Sequence, residues 1–425
     1  MGCKQMLSIG PGVSVGRISR AVAGGAMAML VTGSMAKAGA CVADPVAVSA
    51  RPAVSSGLPP LPPLPPEQAE ALGAAVRAAF PEAAGPGIIA GVMTPEGIWT
   101  GAWGAADPDG GAPMEVGMHT RIGSVTKTFT GTVLLQLAED GALSLDDPIG
   151  RYVEGLPNGD RISLRQLATM TSGLLSYTRA DAFLDRFFED PTLTYTPGQL
   201  VDFAIPGSPI FAPGAEFDYS NTNTVLLGMV IEQVTGQPIG EVFAERVFAP
   251  LGLGGTFWPG AETALPEPFP QGFTLQGNAA TPEAPSNATH WNPSWGWTAG
   301  GMVSTLGDLL VYGQALGTGR GLLGPETQQE RLRSFPEPAG YGLAMGCVDG
   351  WIGHTGELPG YNTTVFYDTT TDTTVVVQAN SDIPSGDCGD EAVLPDNPTG
   401  IACASPASRV FGALSEALGH PFAMP

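Results

Sequence analysis

The stretch 120-TRIGSVTKTFTGTVLLQLAEDG-141 sets a serine and a lysine three residues apart at the start of an apolar helix. Its apolar run predicts a buried helical face, and Gly141 stands where a left-handed residue would end the helix. Residues i and i+3 share a helix face, so the Ser124 hydroxyl and the Lys127 amine can meet. A buried lysine that has lost its proton can activate a serine nucleophile, and unpaired N–H groups at a helix start suit an oxyanion.

The spacing of this serine and lysine is not specific by itself, because residues 34–37 repeat it. The distribution of lysine is more informative. Lysine occurs at three positions, and both Lys4 and Lys37 fall within a predicted export signal, which leaves Lys127 as the sole lysine of a mature chain. Arginine cannot release its proton in a protein, so this pattern favours a base at Lys127 over a surface charge.

The first 40 residues predict an export signal. Basic residues precede the apolar run 21–36, which is too short for a comfortable membrane span, and small residues follow it. Two routes remain open, namely cleavage that frees the protein, or lipidation of Cys41, which would tether it to the outer face of the cell membrane. Residues 41–66 are rich in proline and predict an extended linker, and residues 67–420 predict a serine hydrolase domain.

Composition limits the partners of this chain of 425 residues. Its formal net charge of −23 argues against nucleic acid and anionic lipid surfaces. The sequence has no His, Cys, Asp and Glu spacing typical of a metal site and no phosphate-binding Gly-Lys-Ser/Thr loop, so we expect no cofactor.

Strand patterns lie near both ends of the chain, and helical patterns fill the middle. The runs 87–93 and 97–103 predict a hairpin, and four further runs between residues 341 and 378 predict later strands. The simplest arrangement is an α/β fold of the α+β type, with one antiparallel sheet flanked by helices. Residues 67–150 and 295–420 would build that part, and residues 151–294 would form a mostly helical insertion.

Two further motifs carry polar groups. Tyr219-Ser-Asn221 offers a phenol and an amide at the entry to a helix, although a helix cap with a packed tyrosine explains the same residues. The second motif, residues 353–361, holds His354, Thr355, Gly356 and Glu357 on a short strand between glycines, where a backbone can approach a ligand closely.

With Ser124-Val-Thr-Lys127, Tyr219-Ser-Asn221 and His354-Thr-Gly356 in this order, the chain resembles the serine β-lactamase and penicillin-binding peptidase superfamily. Within it, the sequence is most similar to the class C-like branch and to the secreted streptomycete D-alanyl-D-alanine carboxypeptidases. The resemblance implies that Ser124 is the acylated nucleophile and that Lys127 and Tyr219 transfer protons. It also implies an oxyanion hole from the N–H groups of Ser124 and Glu357, and substrate contacts at Asn221, Trp295, His354, Thr355 and Gly356. For Trp295, a place in a core cluster of tryptophans is the open alternative.

Two departures from the family pattern bear on the substrate. Most β-lactamases carry lysine where this chain has His354, so acylation by β-lactams is expected more than their efficient hydrolysis. The carboxypeptidases carry an arginine on the preceding strand, and residues 341–347 have none.

The expected function is an acyl-enzyme serine hydrolase, of D-alanyl-D-alanine carboxypeptidase type, acting on peptidoglycan stem peptides. An esterase or β-lactamase-like hydrolase of small esters or amides is the alternative. A catalytically silent envelope binding protein is the second alternative, which the presence of Lys127 opposes.

The cysteines suggest one disulfide. Export permits such a bond, and Cys388 and Cys403 close a loop rich in Pro, Gly and Asp. By the resemblance, Cys347 is an alternative partner, because a bridged cysteine also lies seven residues before the third motif in the carboxypeptidases. Either pairing leaves an odd thiol.

Overall fold

The computed structural model describes residues 41–51, 61–336 and 339–423. The predicted export signal, residues 1–40, and the middle of the predicted linker lie outside the described residues. The helices are α1 Pro45–Ser49, α2 Pro66–Ala79, α3 Thr126–Glu139, α4 Leu164–Ala168, α5 Asp181–Glu189, α6 Pro197–Ala204, α7 Asn221–Thr235, α8 Ile239–Phe243, α9 Ala249–Leu251, α10 Trp297–Gly300, α11 Leu306–Thr318, α12 Pro325–Leu332 and α13 Pro406–Ala417. The strands are β1 Gly87–Thr94, β2 Gly97–Asp107, β3 Ala112–Pro113, β4 Thr120–Arg121, β5 Phe273–Thr274, β6 Ser286–Asn287, β7 Val303–Ser304, β8 Gly346–Val348, β9 Trp351–Leu358, β10 Tyr361–Asp368 and β11 Thr373–Ala379. None of the helices in the described ranges has both the length and the apolar character needed to span a membrane.

One seven-stranded sheet, in the order β3-β2-β1-β11-β10-β9-β8, joins the two ends of the chain. The junction is the antiparallel pair β1 and β11, in which Ile88 lies opposite Ala379. The predicted antiparallel sheet from both chain ends is therefore confirmed. The first of the four later runs, residues 341–345, is not a strand, because Ala344 has a φ of +58° and β8 begins only at Gly346.

Both faces of the sheet are covered by helices. Helices α2 and α13 pack together over one face, and α11 packs over the other against β1, β10 and β11. All eight residues of β1 are buried, since neither side of this strand meets water. That burial explains why its sequence is a continuous apolar run rather than an alternating one.

Helix α3 lies in the layer that packs against the end of β9. A short 3-10 turn, Gly123–Val125, precedes the helix and contacts β9. Every residue from Thr126 to Leu135 is buried, which fits the apolar run in the sequence. After the helix, Gly141 has a φ of +72°, the left-handed conformation that its position predicts. Ser124 is thereby held between a buried helix and a sheet edge.

The segment before α2 differs from the predicted linker. Helix α1 packs on α11 and α12, its Val48 is buried, and Arg51 donates to the Thr369 carbonyl at 2.6 Å. Cys41 forms a disulfide with Cys347, which is 306 residues away. The predicted lipid anchor at Cys41 is therefore wrong in this structure, because its sulfur is already bonded.

A second disulfide joins Cys388 and Cys403, as the loop between them suggested. The expected odd thiol is wrong for the part of the chain that the structure describes, because the four cysteines there form two pairs. This second bridge closes the loop that lies between β11 and α13.

Candidate active site

Ser124 and Lys127 meet, as their spacing predicts. The Lys127 Nζ lies 2.8 Å from Ser124 Oγ and donates to the Ala299 carbonyl at 2.7 Å. The lysine side chain is 0% exposed, whereas Ser124 is partly exposed. A nucleophile that a substrate can reach is therefore hydrogen-bonded to an amine that solvent cannot reach.

The protonation state of Lys127 follows from its surroundings. Burial lowers the pKa of Lys127 well below its ordinary value of 10.5, because the charged form loses its hydration. No carboxylate of the described residues forms an ion pair that would restore the charge. The neutral amine is the form that can take the proton of Ser124.

Tyr219 approaches Ser124 from the other side. Its side chain hydrogen-bonds Ser124, and the Lys127 Nζ lies 4.9 Å from its ring centre. Burial raises the pKa of Tyr219 above its ordinary value of 10.0, and the hydrogen bond with Ser124 offsets this only in part. The phenol therefore keeps its proton and can donate it to a leaving group, while Lys127 is the base.

His354 lies near Lys127 and Tyr219 as a neutral imidazole. Its Nε2 is 3.2 Å from the Tyr341 hydroxyl, and the Tyr341 ring centre is 5.9 Å from that of Tyr219. Burial, with the nearby Lys127, lowers the pKa of His354 to about 3. The contact of Tyr341 with these rings could not be predicted from the sequence, because only its neighbours in space reveal it.

The backbone of β9 comes close to the start of α3. A Cβ added to Gly356 would lie 1.9 Å from the Ile122 carbonyl oxygen and 3.1 Å from Ser124 N. A Cβ added to Gly123, which has a φ of +51°, would lie 2.5 Å from Glu357 N. Only glycine fits at these two positions. The backbone nitrogens of Ser124 and Glu357 are thus neighbours, as an oxyanion hole requires.

The other predicted site residues are placed as follows. Asn221 begins α7, is 6% exposed and donates from Nδ2 to Thr178 Oγ1 at 3.1 Å. Thr355 is partly exposed on β9. Trp295 is 5% exposed, and its ring centre lies 5.1 Å from that of Phe187 in an aromatic cluster. This packing supports the core alternative for Trp295 over a wall of the substrate cleft.

Comparison with known proteins agrees with this geometry. A family model described as Beta-lactamase matches residues 69–394. A D-aminopeptidase from Brucella anthropi is 29% identical over 290 residues, which cover 65% of this chain and 52% of that protein. The chain thus spans about half the length of that curated relative.

Two solved structures are also similar. The D-stereospecific amidohydrolase from Streptomyces sp. is 34% identical, with a TM-score of 0.67, and the match covers 74% of this chain and 94% of that chain. The D-amino acid amidase from Ochrobactrum anthropi SV3, complexed with L-phenylalanine amide, is 26% identical, with a TM-score of 0.68 and coverages of 82% and 98%. The predicted fold is confirmed by both.

Proposed function

Because the chain belongs to the beta-lactamase family of serine hydrolases, we propose that it cleaves amide bonds formed by the carbonyl group of D-amino acid residues, through an acyl-enzyme on Ser124. The observation that carries the chemistry is the buried amine of Lys127, 2.8 Å from Ser124 Oγ. Support for a D-residue comes from the D-aminopeptidase, the D-stereospecific amidohydrolase and the D-amino acid amidase to which the chain is similar.

Acylation uses the two proton carriers on either side of Ser124. Neutral Lys127 takes the hydroxyl proton as Ser124 Oγ bonds to the substrate carbonyl carbon. The resulting oxyanion is held by the N–H groups of Ser124 and Glu357. Tyr219 donates its proton to the leaving nitrogen as the C–N bond breaks, and the Lys127 ammonium beside the ring returns a proton to the phenol.

Deacylation runs the same groups in reverse. Water attacks the acyl carbonyl carbon while neutral Lys127 takes its proton. The oxyanion hole again holds the negative oxygen, and Ser124 Oγ leaves with a proton returned from Lys127. No step requires a charged His354, which agrees with its low pKa.

D-alanyl-D-alanine carboxypeptidase activity is a narrower form of this reaction. Its substrates carry a free carboxylate on the leaving residue, close to the scissile bond. Residues 341–348, which precede β9, hold no arginine or lysine to pair with that carboxylate. An uncompensated carboxylate in a cleft is costly, so we place D-amino acid amides and peptides ahead of D-alanyl-D-alanine peptides and of small esters.

Steady-state kinetics test this order. We would compare D-phenylalanine amide, its L-enantiomer, a diacylated L-Lys-D-Ala-D-Ala peptide and a p-nitrophenyl ester, with wild type and Ser124→Ala. We expect the D-amide to be the best amide substrate and Ser124→Ala to be inactive on all four. Ester turnover without amide turnover, or equal rates for the two enantiomers, would refute the proposal. Preferred release of D-alanine would select the carboxypeptidase instead.

A further inference from the structure

The carboxylate of Glu357 has no role in the mechanism above, which uses only its N–H group. Side chains alternate along a strand, so Glu357 and Thr355 lie on one face of β9, and His354 and Gly356 lie on the other. Glu357 is partly exposed. Within the described parts of the chain, no hydrogen-bond donor or cation pairs with its side chain.

The charges near Glu357 are negative. The two that act on it are Asp382 and Glu391, and together with burial they raise the pKa of Glu357 to about 8. Asp382 is already engaged, because it accepts from Gly360 N at 3.0 Å and from Thr274 Oγ1 at 3.0 Å. Glu357 is therefore an unpaired carboxyl group, on the residue whose N–H group lies beside the start of α3 at Gly123.

With its pKa raised to about 8, Glu357 holds a proton at neutral pH, and a cation from the substrate would favour the charged carboxylate in its place. In an amino acid amide, the ammonium group is bonded to the carbon next to the reacting carbonyl. Strand β8 pairs with β9 only from Trp351 to Gly353, so within the described residues the edge of β9 at Glu357 has no strand beside it. A substrate along this edge, with its carbonyl oxygen between Ser124 N and Glu357 N, would bring its ammonium group near the Glu357 side chain. Where water is partly excluded, a hydrogen bond between two charged groups is among the stronger hydrogen bonds in proteins.

We propose that the Glu357 carboxylate binds the α-ammonium group of the substrate and so selects amides with a free amine over those whose amine is replaced or acylated. This specificity role rests on the proposed function of Ser124 as a hydrolase of D-amino acid amides. It also fits the chain's net charge of −23, which attracts cationic substrates and repels anionic ones.

Two matched substrates isolate the ammonium group. D-phenylalanine amide carries it, and D-phenyllactic acid amide has a hydroxyl group in its place. We expect Glu357→Gln to lower kcat/KM for the first substrate by about tenfold or more, the usual effect of losing a charged hydrogen bond, and to change the second by less than about twofold. Glu416→Gln, an exposed substitution on α13, makes the same replacement of residue type and should change neither. An equal loss on both substrates, or no loss, would overturn the role of Glu357.

The test separates this role from the proposed function. If wild type turns over neither amide, the proposed function fails, and D-phenylalanine amide is then measured as an inhibitor of p-nitrophenyl ester turnover. Competitive inhibition that Glu357→Gln weakens by about tenfold would retain the ammonium site. Absent inhibition, or inhibition that the substitution leaves unchanged, would overturn it.

Discussion

Two buried basic side chains, Lys127 of helix α3 and Arg331 beside it, have similar surroundings but differ in whether they can release a proton. Lys127, on the first turn, lies 2.8 Å from Ser124 Oγ. Arg331, from α12, donates to Thr132 Oγ1 at 2.8 Å and to the Thr128 carbonyl at 3.4 Å. Both side chains are 0% exposed. Neither bonds to a carboxylate within the described ranges.

Burial has different consequences for the two groups. It lowers the pKa of Arg331 to about 10, so the guanidinium stays charged at neutral pH. It lowers the pKa of Lys127 well below 10.5, so the amine can give up its proton. A buried arginine therefore serves as a fixed hydrogen-bond donor, whereas a buried lysine can serve as a base.

Exchanging the two residue types is the strongest test of this comparison. Lys127→Arg should lower kcat/KM by about a thousandfold, because a guanidinium cannot act as a general base. The matched exchange, Arg331→Lys, should keep activity within about threefold, since it leaves the Ser124 site intact. Substantial amide turnover by Lys127→Arg would show that another group accepts the Ser124 proton.

The same Arg331→Lys variant should lose stability rather than activity. A lysine cannot reproduce the forked contact with Thr132 and Thr128, so we expect the free energy of unfolding to fall by about 1–3 kcal/mol. Urea denaturation followed by circular dichroism measures this change. An unchanged midpoint would mean that these hydrogen bonds contribute nothing to the folded state.

The pH dependence of stability should also distinguish the two sites. Below pH 10.5 the unfolded chain binds a proton at Lys127 that the folded chain binds less readily, so wild-type stability should rise with pH relative to Lys127→Met. Thermal unfolding of both proteins between pH 6 and 10 measures the difference, which we expect to change by about 2 °C. Arg331→Met should show no such slope below about pH 10, where its guanidinium stays charged. A flat difference for Lys127→Met would contradict a neutral Lys127.

The pH dependence of stability that arises from Glu357 should be the smallest of these effects, and its sign should be opposite to that of Lys127. Glu357 has its pKa raised from 4.5 to about 8, so the folded chain holds a proton that the unfolded chain has lost in this window. Wild type should therefore lose stability relative to Glu357→Gln as the pH rises from 4.5 to 8, by about 1 °C in Tm for a partly exposed group. A rise in relative wild-type stability over this range would mean that an undetected cation pairs with Glu357.

Local patterns predicted the parts of the fold and site that depend on neighbours in sequence. Helix α3, its end at Gly141 and the hairpin of β1 and β2 follow from periodicity and turn residues. Ser124 and Lys127 follow from helical spacing. Each of these features depends on residues that are close together in the sequence, so one sequence suffices to find them.

Contacts between distant residues could not be predicted in the same way. The partner of Cys41 is 306 residues away, and no spacing rule reaches that far. Tyr341 has the pattern of a strand residue, and only the fold shows that its hydroxyl meets His354. The unpaired state of Glu357 depends likewise on what surrounds it in space. Residue type predicts which chemistry is possible, and only tertiary packing determines which groups meet.

The bond between Cys41 and Cys347 has a consequence for producing the protein. A shortened chain that begins at Glu67, where the sequence places the start of the domain, would lack Cys41 and leave Cys347 as a lone thiol a few residues before β9. It would also uncover the surfaces of α11 and α12 on which α1 packs. Recombinant protein for the kinetic comparisons should therefore start at or before Cys41 and be folded under oxidising conditions.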